Sequence, residues 1–153
     1  MIRDELHFRV QSDYFRWQSN MTKQMRLTLF SWMMEVCIDM RFQRSTFHIA
    51  VCYCDAFFEK IRSLMTTDRL QLAGVTAIYM ASKMEEVFVP EIKYFSKATN
   101  YSSSIDDICD MERHFLKSLR FRLLPVTLLS WMDWYTLQWD AFADQYNMHA
   151  LTD

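Results

Sequence analysis

Between Leu70 and Ser82 the sequence LQLAGVTAIYMAS carries no charge, and its apolar side chains fall on every face of a helix. Such a rod must be enclosed. It is shorter than the roughly 20 apolar residues that cross a bilayer, so the expected enclosure is other helices of the same chain. Ala73, Ala77 and Ala81 recur at every fourth position, with Gly74, the only glycine, beside the first. That spacing predicts a ridge low enough for a neighbouring backbone to cross closely. After Ser82 the pattern changes to Lys83-Met84-Glu85-Glu86 and then reaches Pro90, so the rod emerges carrying charge, and function is expected at that end.

Other helices flank it. Leu6, Val10, Tyr14 and Trp17 predict an amphipathic helix from Arg3 to about Trp17. Lys23 to about Met40 reads as a longer one, burying Met25, Leu29, Trp32, Met33, Val36 and Met40. Ser45 is placed to cap a helix from Thr46 to Phe58, and a polar connection runs from Glu59 to Asp68. A short helix is expected from Ile92 to Thr99. Ser103 with Asp106, or Ser104 with Asp107, offers a capped start for another that runs to Leu119. Phe121 to Pro125 ends it, and a last amphipathic segment spans Thr127 to about Asp144.

Composition agrees with an all-α chain. Of 153 residues 51% are hydrophobic, and one glycine and two prolines are too few for a sheet protein's turns. A net charge of -2, from interspersed residues, gives no broad basic face for nucleic acid. Cys37, Cys52, Cys54 and Cys109 lack the spacing of zinc or redox pairs and read as reduced core thiols. His7, His48, His114 and His149 show no ligand spacing, so no metal or cofactor is expected. No nucleophile or acid–base constellation supports an enzyme. Neither a membrane span nor a signal peptide is evident, and an intracellular, nuclear and/or cytoplasmic protein is expected.

Taken in order, MRLTLFSWMMEVC, TFHIAVCYCDAFF, LQLAGVTAIYMASKMEEVFVPEI and the helix ending in LRFRLLP resemble the N-terminal box of the cyclins. The resemblance covers about Met25 to Pro125, and the segment from Trp32 to Cys37, with Ser130-Trp131, is most similar to E-type cyclins. It implies a five-helix box over residues 23–125 with the third helix at its centre. Residues 1–22 would precede it as a helix and link, and residues 126–153 would form a helix resembling the start of a second box. That last helix would expose an apolar side.

Cyclins carry no active site; the resemblance implies docking on a cyclin-dependent kinase and activation of it. The matching contact residues are Lys83 and Glu112, with Met84, Leu116, Phe121 and Leu123 around them; most family members have an aromatic at the place of Met84. On pattern alone Lys83 is a cation at a helix C-terminus and Glu112 a solvated side chain. A second matched pair, Arg26 and Asp55, reads as structural, each buried charge neutralising the other. Met25, Thr28, Trp32 and Glu35, with Leu70 and Gln71, match a shallow groove that binds Arg-x-Leu peptides of substrates or inhibitors. Leucine would meet Trp32 and Leu70, and arginine would meet Glu35. Thr28 stands where an aliphatic residue is usual. The rival readings are a cyclin-fold transcription factor resembling transcription factor IIB, and a divergent single-box cyclin that binds a kinase without activating it.

Overall fold

The computed structural model describes residues 21–61 and 66–145, with side chains to residue 139. These form helices α1 (Lys23–Asp39), α2 (Arg44–Lys60), α3 (Thr67–Glu85), α4 (Ile92–Ala98), α5 (Ile105–Leu119) and α6 (Leu128–Gln145). No strand occurs among the described residues. The helix expected before Trp17 lies outside them.

Local side-chain caps set the starts of α1 and α5. The Thr22 hydroxyl accepts from the Met25 amide at 3.1 Å and caps α1. Of the two starts available to α5, the second forms: Ser104 Oγ accepts from the Asp107 amide at 3.1 Å, and the Ser104 amide donates to Asp107 Oδ2 at 3.0 Å. The Ser104 hydroxyl also bonds Asp107 Oδ2 at 2.7 Å, and this bond together with that from the Ser104 amide holds the Asp107 carboxyl below its ordinary pKa. For α2 the expectation fails. Its cap is Gln43, and Ser45 lies inside the helix. The Gln43 amide donates to Glu86 Oε1 at 2.8 Å and the Thr46 hydroxyl donates to the same oxygen. A carboxylate from the far end of α3 thus serves the helix start, where negative charge is favoured.

The central rod is α3, in contact with α1, α2, α4 and α5, most extensively with α2. Ala73, Val75, Ala77, Ile78 and Ala81 have no exposed surface. Its buried polar side chains satisfy themselves locally: Thr76 Oγ1 donates to the Leu72 carbonyl at 2.7 Å and Ser82 Oγ to the Tyr79 carbonyl at 2.8 Å. At Gly74 a Cβ atom would lie 2.9 Å from Leu29 Cδ1 and 3.3 Å from Met33 Cγ, so α1 crosses α3 there as closely as its side chains allow.

Around the rod, Phe57 of α2 stacks on Phe115 of α5 with ring centroids 3.9 Å apart, and Tyr79 packs against Phe95 of α4 at 5.0 Å. Buried Tyr53 donates its hydroxyl to the Leu123 carbonyl, tying α2 to the chain beyond α5. Helix α6 meets α2 and leaves Leu128, Met132, Tyr135 and Trp139 exposed.

The close crossing predicts a graded response at Gly74. Gly74→Val should lose at least about 2 kcal/mol by overpacking Leu29 and Met33. In Gly74→Ala, a helix-propensity gain of about 1 kcal/mol offsets much of a smaller clash. Urea denaturation of both variants measures this, and a Val variant as stable as wild type would show that α1 yields freely at the crossing.

Candidate functional site

Where α3 leaves the core, Lys83 and Glu112 of α5 meet in an ion pair, with side chains 36% and 19% exposed respectively. The Lys83 ammonium also lies 4.1 Å from the centre of the Tyr79 ring. Two charges singled out in the sequence as separate contacts are therefore first each other's partner. The pair leaves capacity unused, since an ammonium has three donors and a carboxylate two oxygens, while the single bond is to Oε1.

Apolar side chains border the pair. Met84, next to Lys83, is 42% exposed, and Leu116, one turn beyond Glu112, is half-buried. Phe121 is 71% exposed because of its backbone: Arg120 and Phe121 have φ of 52° and 57°, the left-handed region that non-glycine residues avoid. Those torsions end α5 and turn the ring outward, while the following Leu123 is half-buried. Val87 and Phe88, exposed by 83% and 88%, are a feature missed in the sequence. They lie just past the end of α3 at Glu85, separated from its apolar run by Lys83, Glu85 and Glu86.

Arg26 and Asp55 do pair across α1 and α2, in a two-pronged arrangement: Nε to Oδ1 at 2.9 Å and a terminal guanidinium nitrogen to Oδ2 at 2.6 Å. The guanidinium also lies 4.3 Å from the centre of the Phe30 ring. The burial expected of the pair is partial, the side chains remaining 29% and 15% exposed. Both sit where α1 and α2 meet at the rim of the core, so water reaches the pair from one side.

The six groove positions divide between two hollows. Met25, Thr28, Trp32, Leu70 and Gln71 line one of about 340 Å³ between α1 and the start of α3, which Asp68 also borders. Leu70, 3% exposed, is its floor. The Ser102 hydroxyl donates to Gln71 Oε1 at 3.3 Å and helps orient that amide. Glu35 is not in this hollow. It lines a second one of about 630 Å³ between α1 and α4, together with Asp39, Tyr94, Lys97 and Asn100. Trp32 borders both hollows and joins them. The α4 residues escaped the sequence reading because nothing in their local pattern brings them beside α1.

All four cysteines are unpaired thiols. Burial, with Glu86 nearby, pushes Cys37 up to about 12; burial, with Asp55 nearby, pushes Cys52 up to about 11 and Cys54 well above its ordinary value. Thiols so shifted stay protonated near neutrality and are poor nucleophiles. Among the described residues no His, Cys, Asp or Glu group is placed to hold a metal ion, and no helix is long and apolar enough to cross a membrane.

Comparison with known proteins gives a family for this arrangement. Residues 1–124 match the family described as the N-terminal domain of cyclin. The chain is 36% identical over 133 residues to a G1/S-specific cyclin-E of Caenorhabditis briggsae, covering 87% of this chain and 26% of that one. It is 37% identical over 112 residues to the G1/S-specific cyclin-E1 of Rattus norvegicus, covering 73% and 27%. With the G1/S-specific cyclin-E1 of Gallus gallus identity is 31% over 134 residues, covering 88% and 31%. The matched region thus spans about a quarter to a third of the length of these relatives.

The half-buried Arg26–Asp55 pair predicts a stability effect below that of a fully buried one. Arg26→Ala should cost about 1 to 3 kcal/mol, the range for a charged hydrogen bond that water partly replaces. Arg26→Lys should restore little of it, because an ammonium cannot make the two-pronged contact. Thermal melts of either variant that overlay wild type would show that the pair contributes nothing to the fold.

Proposed function

Because the chain belongs to the cyclin family, we propose that it is the regulatory subunit of a cyclin-dependent serine/threonine kinase, acting in cell-cycle control inside the nucleus and/or cytoplasm. The kinase carries the catalytic groups. This protein docks on it, and by holding a kinase helix in place it completes the Lys–Glu ion pair that phosphoryl transfer needs. The G1/S designation of its relatives supports a role in the cell cycle.

The observation that carries the reading is the Lys83–Glu112 pair at the exit of α3, bordered by Met84, Leu116, Phe121 and Leu123. Apolar neighbours exclude water when a partner closes over them, which strengthens the remaining hydrogen bonds of both charges. The internal pair also fixes the two groups in position before binding, so less side-chain freedom is lost on docking. Substrates and inhibitors are recruited separately, through an Arg-x-Leu peptide whose leucine enters the hollow over Leu70 and whose arginine crosses Trp32 to reach Glu35. Thr28 offers little apolar area, which points to micromolar-order affinity.

For the kinase edge, Lys83→Ala and Glu112→Ala should each weaken association more than tenfold, since losing one desolvated charged partner costs about 2 to 5 kcal/mol. The exchanged variant Lys83→Glu/Glu112→Lys keeps an internal pair and should melt close to wild type, yet bind the kinase poorly. Calorimetric titration and a phosphotransfer assay against cyclin-dependent kinases measure both effects. Normal binding and activation by the single variants would remove this edge from the interface.

For the groove, a labelled Arg-x-Leu peptide should bind without any kinase, because every lining residue belongs to this chain. Trp32→Ala should weaken it roughly thirtyfold, the effect of an aromatic anchor of about 2 kcal/mol. Glu35→Lys should abolish the preference for arginine while leaving the leucine hollow intact. Absence of saturable binding up to about a millimolar, or equal arginine preference in wild type and Glu35→Lys, would defeat the assignment.

A further inference from the structure

The larger hollow, between α1 and α4, is only partly used by an Arg-x-Leu peptide, and its walls carry opposite charge. Glu35 and Asp39 stand one helical turn apart on the α1 side, about 6 Å along the axis. Lys97 stands on the α4 side, in the last turn of that helix. All three are exposed. None of the ion pairs Arg26–Asp55, Lys83–Glu112, Lys93–Glu91 and Arg113–Asp110 involves them, so neither carboxylate nor the Lys97 ammonium has an ion-pair partner among the described residues. A cation at a helix C-terminus is favourable by itself. That accounts for a lysine in the last turn of α4, but not for its facing two unpaired carboxylates across a hollow that opens onto Trp32.

We propose that this hollow reads the residues on the N-terminal side of the docking arginine, and that Lys97 makes it select an acidic side chain immediately before that arginine. The inference rests on the groove reading above and sharpens it. With leucine in the smaller hollow and arginine on Glu35, the peptide enters the larger hollow running toward its own N-terminus. An extended chain directs successive side chains to opposite sides. If arginine faces the α1 wall, the residue before it faces the α4 wall and Lys97; the one before that returns to the α1 wall and Asp39. The favoured ligand is therefore a peptide with a basic residue, an acidic residue, arginine, any residue and leucine in sequence. Charge order along the peptide matches charge order across the hollow, and an inverted order brings like charges together.

Fluorescence anisotropy with labelled peptides tests the order directly, using full-length protein without a kinase. A parent peptide has alanine at both positions before the arginine; two others place glutamate at the nearer or the farther position. Wild type should bind the nearer-glutamate peptide about threefold more tightly than the parent, as expected for an exposed ion pair. It should bind the farther-glutamate peptide more weakly than the parent. The preference should shrink at high salt, vanish in Lys97→Ala and reverse in Lys97→Glu, both of which should melt like wild type because Lys97 is exposed. Equal binding of the parent and nearer-glutamate peptides, or an undiminished preference in Lys97→Ala, overturns the inference while the groove stands. No saturable binding of any of the three peptides overturns the groove reading and this inference with it.

Discussion

The stretch of α3 from Leu70 to Ser82 carries no charge and no continuous polar face to offer water, and enclosing it is the requirement from which the other helices take their places. Alanines at positions 73, 77 and 81 let neighbouring helices approach, and Gly74 admits Leu29 and Met33 without a Cβ between. Interiors pack at crystal-like density, so such a helix has little freedom to shift or rotate. The same enclosure restricts where α3 can serve a partner. With its middle packed against α1, α2, α4 and α5, the parts of α3 open to a partner lie at its ends: Gln71 and the hollow floored by Leu70 near one, Lys83 to Glu86 at the other.

At the exit the two ion-bearing contacts differ in kind. Glu86 turns toward α2 and serves both the Gln43 amide and the Thr46 hydroxyl, the latter on a residue with no exposed surface, so removing the carboxylate would strand a buried donor. Lys83 turns toward α5, and with about a third of its side chain in water its pairing to Glu112 adds little stability. On the proposed reading, a charge that stabilises so little, at the mouth of an apolar core and beside exposed Met84, is there to meet a partner.

Helix order and the central place of α3 were legible in the sequence because both follow from periodicity, which is local. The Ser104/Asp107 cap was legible for the same reason, its two halves lying within one turn. What failed depended on distant chain. Ser45 lost its expected role because a carboxylate forty residues away in sequence reaches Thr46. The partnership of Arg26 with Asp55 could be inferred from charge in apolar segments, but its depth depends on how α1 and α2 meet at the rim. Glu35 shared a helix face with Trp32, yet the wall opposite it belongs to α4, whose position no local pattern encodes. Phe88, which the sequence did not single out, lies exposed just beyond the end of α3.

The rigidity of α3 also bears on how the two surfaces work together. Leu70 and Lys83 lie on one helix, separated by about 20 Å of axis at 1.5 Å per residue. On the proposed reading one end holds a substrate peptide and the other a kinase, so the enclosed rod fixes the distance between them. Tethering through a weak groove then acts by effective concentration: a substrate held beside the kinase meets it at a millimolar-order local level when its linker spans the gap. Tight capture would slow release without raising that local level further. A groove weakened by Thr28 but extended past Trp32 suits such a tether, because selectivity can come from charge order over several residues while total affinity stays modest.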